Sequence, residues 1–249
     1  MSILGLSIVE LVIIGVCALG AQVVGGLAGY GTGLLMPLVL VPILGPQAIV
    51  PVISLSAILT NLTRMLVFRE HLDIGKAALI SAFAIPSTLL GAHFYSLLSS
   101  RGAATVIGSM LIVIVPLRRF LAHRKFKLGT PGGAVAGIVY GLLTGGTTGV
   151  GVVLISVLMA MGLSGLQIVA TDALTSVVLG IAKTGVFLNA GMLPPKLILV
   201  ALLIGIMATP GTLTAKWLAR RFDARLHDTM IEAAILVGGA MLIWRALQS

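Results

Sequence analysis

One cysteine, few charges and few aromatic rings limit what this chain of 249 residues can be. The lone Cys17 lies in an apolar stretch, which excludes an internal disulfide and any cysteine-based metal cage. Asp and Glu together number 7 against 16 Lys and Arg, and charged residues are only 9% of the chain. With 58% of residues hydrophobic, there is too little polar surface to coat a soluble globule. The net charge of +9 would suggest a nucleic-acid partner in a soluble protein, but here it reads as membrane topology, with no nucleic acid implied. Residues 1–9 hold no Lys or Arg and Glu10 follows, so the basic start of a cleaved signal peptide is missing. The first helix is therefore expected to stay in the mature protein. P-loop and H-E-x-x-H motifs are absent, as is a nucleophile, base and acid set, which argues against an enzyme and against ATP-driven transport by this chain alone. His71 and His93 lack the neighbours a metal cage needs, so neither metal nor cofactor is expected.

What the chain has in abundance is apolar segments of helical length. They run at about 3–28, 34–44, 47–68, 75–98 and 102–120, and then at about 131–146, 150–162, 166–189, 195–218 and 228–247. Breakers mark the joints: Leu44-Gly45-Pro46, Ser99 to Gly102, Gly129-Thr130-Pro131 and Pro194-Pro195. The composition predicts an all-α polytopic membrane protein in a lipid bilayer. Segments 34–44 and 150–162 fall short of the ~20 residues a crossing helix needs. Each follows a glycine-rich break, so each reads as a re-entrant half-helix or a short tilted one.

Those breaks are related. Gly25 to Pro37 reads GGLAGYGTGLLMP, and Gly141 to Leu154 reads GLLTGGTTGVGVVL; Gly31 and Gly33 superpose on Gly149 and Gly151, and Gly29 on Thr147. The displacement of 118 residues is about half the chain, which makes this a duplication. At a shift of 119, Leu55, Ser56, Arg64, Val67 and Phe68 fall on Leu174, Thr175, Lys183, Val186 and Phe187; at a shift of 124, the run from Pro86 to Gly91 falls on that from Pro210 to Ala215. In a membrane, irregular backbone survives only where it is buried in protein or lines a wet cavity, and paired breaks in two repeats point to a transport site. Glycines that only permit close helix packing are the competing explanation.

Basic residues orient the chain. Arg118, Arg119, Arg124, Lys125 and Lys127 form an acid-free linker expected in the cytoplasm, with further basic turns at Arg69 and Lys76 and at Arg220, Arg221 and Arg225. Counting each broken hairpin as an even number of crossings puts all three on one side. It leaves both termini outside and the two halves inverted, each with glycine-rich broken helices or re-entrant hairpins. The organisation expected is a first repeat at 1–117, a cytoplasmic linker at 118–130 and a second repeat at 131–249.

Within that frame, Ser56, Thr60 and Arg64 share one helical stripe, and Thr175 and Lys183 repeat its ends. A hydroxyl and a fixed cation on each of two facing helices make a candidate anion site, with Asn61 adding amide donors and Gly29, Gly31, Thr32, Gly33, Thr147, Thr148, Gly149 and Gly151 supplying the breaks. Arg64 alone is equally readable as a residue snorkelling to the surface. Asp172 is a candidate for coupling to a proton or cation, or else an acid favoured by the start of its helix. Glu10 and Glu232 are expected near the surface or paired with basic residues.

At the glycine breaks the chain resembles the sulfite exporter TauE/SafE family, also called the toluene sulfonate uptake permease family. The points of resemblance are G-L-A-G-Y-G-T-G-L-L-M-P at 26–37, L-G-P-Q at 44–47 and P-x-T-x-x-G/A at 86–91 and 210–215. Tyr30 and Thr32 interrupt the glycine run typical of the family, and the second copy lacks a proline matching Pro37. The resemblance implies a secondary transporter of the bacterial inner membrane that passes sulfur oxyanions or organosulfonates such as sulfite or sulfoacetate. The residues alone say only small anion, with H+ or Na+ as candidate coupling ion and rocking of one repeat against the other as the expected motion. They leave open a carboxylate transporter, a non-transporting membrane subunit assembled through its glycines, and an intramembrane enzyme. Substrate, direction and oligomeric state, a homo-oligomer included, also stay open.

Overall fold

A computed structural model of the protein describes residues 2–3, 5–25, 31–123 and 127–218. Nine helices account for nearly all of them: α1 (Ile8–Gly25), α2 (Gly31–Leu44), α3 (Ile49–Val67), α4 (Ile74–Ser96), α5 (Ser100–His123), α6 (Thr130–Gly146), α7 (Gly151–Ala160), α8 (Leu166–Asn189) and α9 (Pro195–Leu218). A two-residue ladder of β1 (Ser2–Ile3) on β2 (Leu6–Ser7) precedes them. The Glu10 carboxylate accepts from the Ser7 backbone N–H and hydroxyl at 2.7 and 2.9 Å, which fastens this turn to α1.

Among the described residues, four helical segments are long and apolar enough to cross a membrane: Pro46–Val67, Ile74–Ser96, Ser100–Leu117 and Leu166–Asn189. The protein is an all-α membrane protein. α2 and α7 are short, at 14 and 10 residues, where the sequence places its half-helices. The basic stretch from 118 begins inside a helix, because α5 continues to His123. Nothing from Leu117 to His123 breaks a helix, and Arg and Leu are good helix formers. The expectations for Gly29, Arg124, Lys125, the turn at 220–225, Glu232 and the segment at 228–247 lie outside the described residues.

The turns are fixed by side chains. Gly45 adopts φ +80° ahead of a 3-10 turn at Pro46–Ala48. That turn is tied to the end of α4 by the Tyr95 hydroxyl donating to the Pro46 carbonyl at 2.9 Å, and by Gln47 Nε2 donating to the Leu98 carbonyl at 2.7 Å. Asp73 caps α4: its carboxylate accepts from the Lys76 N–H and from Lys76 Nζ, both at 2.9 Å. The N–H bond and then the ammonium hold this carboxyl below its ordinary range.

The helices pair across the halves. α4 lies along α6, and α1, the counterpart of α6, lies along α9, the counterpart of α4. α3 packs on α9 and α8 on α4, and α3 meets α8 in the middle. Each of these pairings thus has a partner under exchange of the halves. The closest is α4 with α6, where Gly133, Gly137, Gly141 and Gly145 recur every fourth residue. Ile80, Ala84 and Thr88 of α4 press their backbone against three of them, Gly137, Gly141 and Gly145. Between membrane helices such small residues let dispersion and weak polar contacts act at short range, since lipid supplies no hydrophobic drive. The other face of α6 exposes Val135, Ile138, Val139 and Leu142, apolar side chains suited to lipid.

Candidate functional site

α2 and α7 start against each other. A Cβ built on Gly33 would lie 3.1 Å from the Gly149 nitrogen and 3.2 Å from its Cα. Gly149 itself has φ +81°, a left-handed conformation that glycine adopts without steric cost. The Thr148 hydroxyl donates to the Gly33 carbonyl, joining the two breaks directly. A residue with a side chain at either glycine would force the breaks apart.

Beside this junction is a cavity of about 80 Å³. At roughly 10–15 Å³ per water on this measure, it holds several waters or one small oxyanion. One wall comes from Thr32 and Gly33 with Ile53, Ala57 and Asn61 of α3; the other from Thr148 to Gly151 with Tyr140, Thr144, Ser176, Gly180 and Lys183. The first turns of α2 and α7 therefore both border it. Helix starts carry the positive end of the helix dipole and N–H groups without a carbonyl one turn back, although the Val153 N–H is taken by the Val150 carbonyl at 2.9 Å. Lys183 is buried and donates from Nζ to the Thr144 carbonyl at 3.0 Å, and among the described residues it has no carboxylate partner. Hydroxyls, the starts of two helices and one cation line a small space, which is the donor chemistry of an anion site.

Arg64 does not line this cavity. Its guanidinium is 3% exposed and ends on Asp172, which is 1% exposed, at 3.0 Å from Nη2 to Oδ2, while Nη1 donates to Asn61 Oδ1 at 2.8 Å. This buried pair joins α3 to α8. Arg64 Nε and Asp172 Oδ1 have no hydrogen-bond partner among the described residues. Asp172 lies beyond the first turn of α8, and the carboxylate faces an arginine in place of the helix start.

The other candidates divide in the same way. Asn61 borders the cavity and also orients Arg64, and its own Nδ2 donates to the Ala57 carbonyl at 2.9 Å. Thr32, Gly33, Thr148, Gly149 and Gly151 line the cavity, and Gly31 opens α2. Ser56 and Thr175 are buried but donate to their own helices, at the Ile53 and Thr171 carbonyls, 3.0 and 2.9 Å away. Thr147 faces a separate, mostly apolar groove between α5 and α6. Three polar residues of the cavity were not among the sequence candidates: Tyr140, Thr144 and Ser176. The Tyr140 hydroxyl lies within hydrogen-bonding reach of Thr144 and Ser176. Thr144 is in the quoted run GLLTGGTTG and Ser176 follows Thr175, so both were within sight of the motifs.

The model of one protein family, described as sulfite exporter TauE/SafE, matches residues 14–242 of the chain. No curated protein and no solved structure gives a significant match.

Proposed function

Because the chain belongs to the sulfite exporter TauE/SafE family, and so to membrane transporters of sulfur-related anions, we propose that the cavity between the two glycine breaks is its substrate site. The substrate is a small sulfur oxyanion or organosulfonate, moved across the bacterial inner membrane by secondary transport and without enzymatic chemistry. The observation that carries this reading is Lys183, a buried cation lining a small polar cavity at the starts of two short helices. The anion's oxygens take the N–H groups of both helix starts and the Thr32 and Thr148 hydroxyls, with Lys183 supplying the charge. Ser56 and Thr175 spend their hydroxyls on their own helices, and the pair of Arg64 and Asp172, linked to the cavity through Asn61, is the coupling candidate.

Alternating access needs two bodies that move, and the packing favours bodies that mix the halves. One is α1, α2, α3 and α9, and the other is α6, α7, α8 and α4. The cavity lies between them, and what crosses from one body to the other is the meeting of α3 with α8, the breaks, α5, and the hydrogen bonds of Tyr95 and Gln47 that join the end of α4 to the turn before α3. Arg64 near Asp172, and Gly180 near Ser54 and Ile58, mean that α3 and α8 run antiparallel. Antiparallel contact between corresponding helices supports inverted repeats. The basic residues from Arg118 onward are what place that stretch in the cytoplasm and both termini outside in this reading. In a Cys17→Ala background, Ser2→Cys is expected to label from outside intact cells and Lys127→Cys only after permeabilisation. The reverse pattern would overturn the orientation.

Binding tests the site. Purified protein in detergent is expected to be stabilised by sulfite, thiosulfate or a sulfonate, since a ligand that binds only the folded state raises the apparent midpoint. Lys183→Gln should weaken that affinity by about 1.5–3 kcal/mol, the worth of a charged hydrogen bond, or roughly ten- to a hundredfold. The exposed Arg69→Gln should leave it within about twofold, as expected of a screened surface charge. Equal losses in the two variants, or none in either, would remove Lys183 from the site.

A further inference from the structure

The two ends of the contact between α3 and α8 are built alike but filled differently. On the 119-residue shift that maps Arg64 onto Lys183, Asp172 corresponds to Ile53 and Asn61 to Gly180. At one end the cation has both of its side-chain partners, Asp172 at 3.0 Å and Asn61 at 2.8 Å. At the other end both are missing, and the residues standing in their places, Ile53 and Gly180, line the cavity with Lys183. A buried cation without a counter-charge is costly, so an anion entering the cavity would relieve that cost.

Resting on the reading of Lys183 as the substrate-facing charge, we infer that Arg64 marks a second anion site of the same construction, which the chain fills with its own Asp172 carboxylate. Ile53 is then the residue that keeps the other site vacant for substrate. The protein binds one anion because one of two equivalent slots is already taken by a tethered one. The oxygens of Asp172 mimic those of the substrate: one on the cation, and Oδ1 left without a partner among the described residues, as a bound oxyanion would offer an oxygen to solvent or to a mobile group. Ile53 is 4% exposed and apolar, so it contributes no competing charge and no hydrogen bond.

The swap is testable in both directions by titrating purified protein with sulfite. Ile53→Asp is expected to bind at least tenfold more weakly than Ile53→Asn, which has the same shape without the charge, because its carboxylate would occupy Lys183; the tenfold step is the ~1.4 kcal/mol of one lost charge contact. Asp172→Asn should raise the number of sulfites bound per chain from one to two. Equal binding in Ile53→Asp and wild type, equal losses in the Asp and Asn variants, or one sulfite per chain in Asp172→Asn would each overturn the inference. A ligand-free arm separates it from the transport reading. Ile53→Asp should lower the thermal midpoint much more in a Lys183→Gln background than with Lys183 present, and equal shifts would sink the equivalence of the two ends. Were wild type to bind no sulfite, thiosulfate or sulfonate, the substrate reading would fall, while this cycle would still decide whether position 53 faces Lys183 as Asp172 faces Arg64.

Discussion

Gly149→Ala is expected to abolish anion movement in proteoliposomes while leaving the helical content of the purified protein intact. Two effects add. At φ +81° a side chain costs about 1–2 kcal/mol in the left-handed region. The new methyl would also strike Leu34, with its Cγ at 2.9 Å and its Cδ2 closer still. Leu34 is 2% exposed, so it has little room to withdraw, and the start of α7 must shift instead. A shift there opens the junction with Gly33 and displaces the N–H groups that face the cavity, and a misplacement of about 1 Å is enough to lose much of an oriented site. Leu34→Ala in the same chain should recover part of the loss, because it removes the collision and not the backbone strain. Transport at the wild-type rate in Gly149→Ala, at matched reconstitution, would mean that the breaks are not where the anion passes.

Gly141→Leu should have the largest effect on stability. Its Cβ would run into the Ala84 carbonyl and the Ser87 hydroxyl, with the Ala84 Cα only 2.8 Å away. Backbone cannot swing aside as a side chain can, so α4 and α6 would have to separate along the glycine ladder. Overpacking of this kind costs about 1–3 kcal/mol and occasionally more. For a chain of this size each kcal/mol lowers the midpoint by roughly 2–4 °C. Gly20→Leu, where nothing lies within 4 Å, is the matched control and should stay close to wild type. A thermal midpoint for Gly141→Leu equal to that of Gly20→Leu would show that the ladder is not under steric constraint.

Much of this architecture was legible because membrane helices announce themselves by length and composition. The helix from Ile49 to Val67 and that from Leu166 to Asn189 lie within about two residues of the apolar runs that predict them. The two short helices follow from segments too brief to cross. The duplication brought Arg64 and Lys183 into one frame, but an equal position does not mean an equal environment. What distinguishes them is two positions: Asn61 against Gly180 on the cation's own helix, and Asp172 against Ile53 on a helix more than a hundred positions away in the chain. Separation of that size is invisible to periodicity. Ser56 and Thr175 were read as ligands since they share the stripe. A hydroxyl in a helix can instead satisfy itself on the carbonyl three or four residues back, and both do so. The four-residue glycine period of α6 was present in the letters but overshadowed by the denser cluster that ends it.

The pairing of α4 with α6 and of α1 with α9 also constrains how the protein is made. When the first half has left the ribosome, the face of α4 shaped for glycines has nothing to rest on, and α1 remains without its neighbour until α9 arrives. The largest helix pairings join one half to the other, so early helices wait in lipid in an incomplete state until their partners follow. Their stability there depends on apolar surface toward the bilayer, as with Val9, Val12 and Val16 of α1. Assembly is therefore a late event that waits for α6 to α9, and a ribosome stalled at the end of α5 would leave helices able to span the membrane but not to form the cavity.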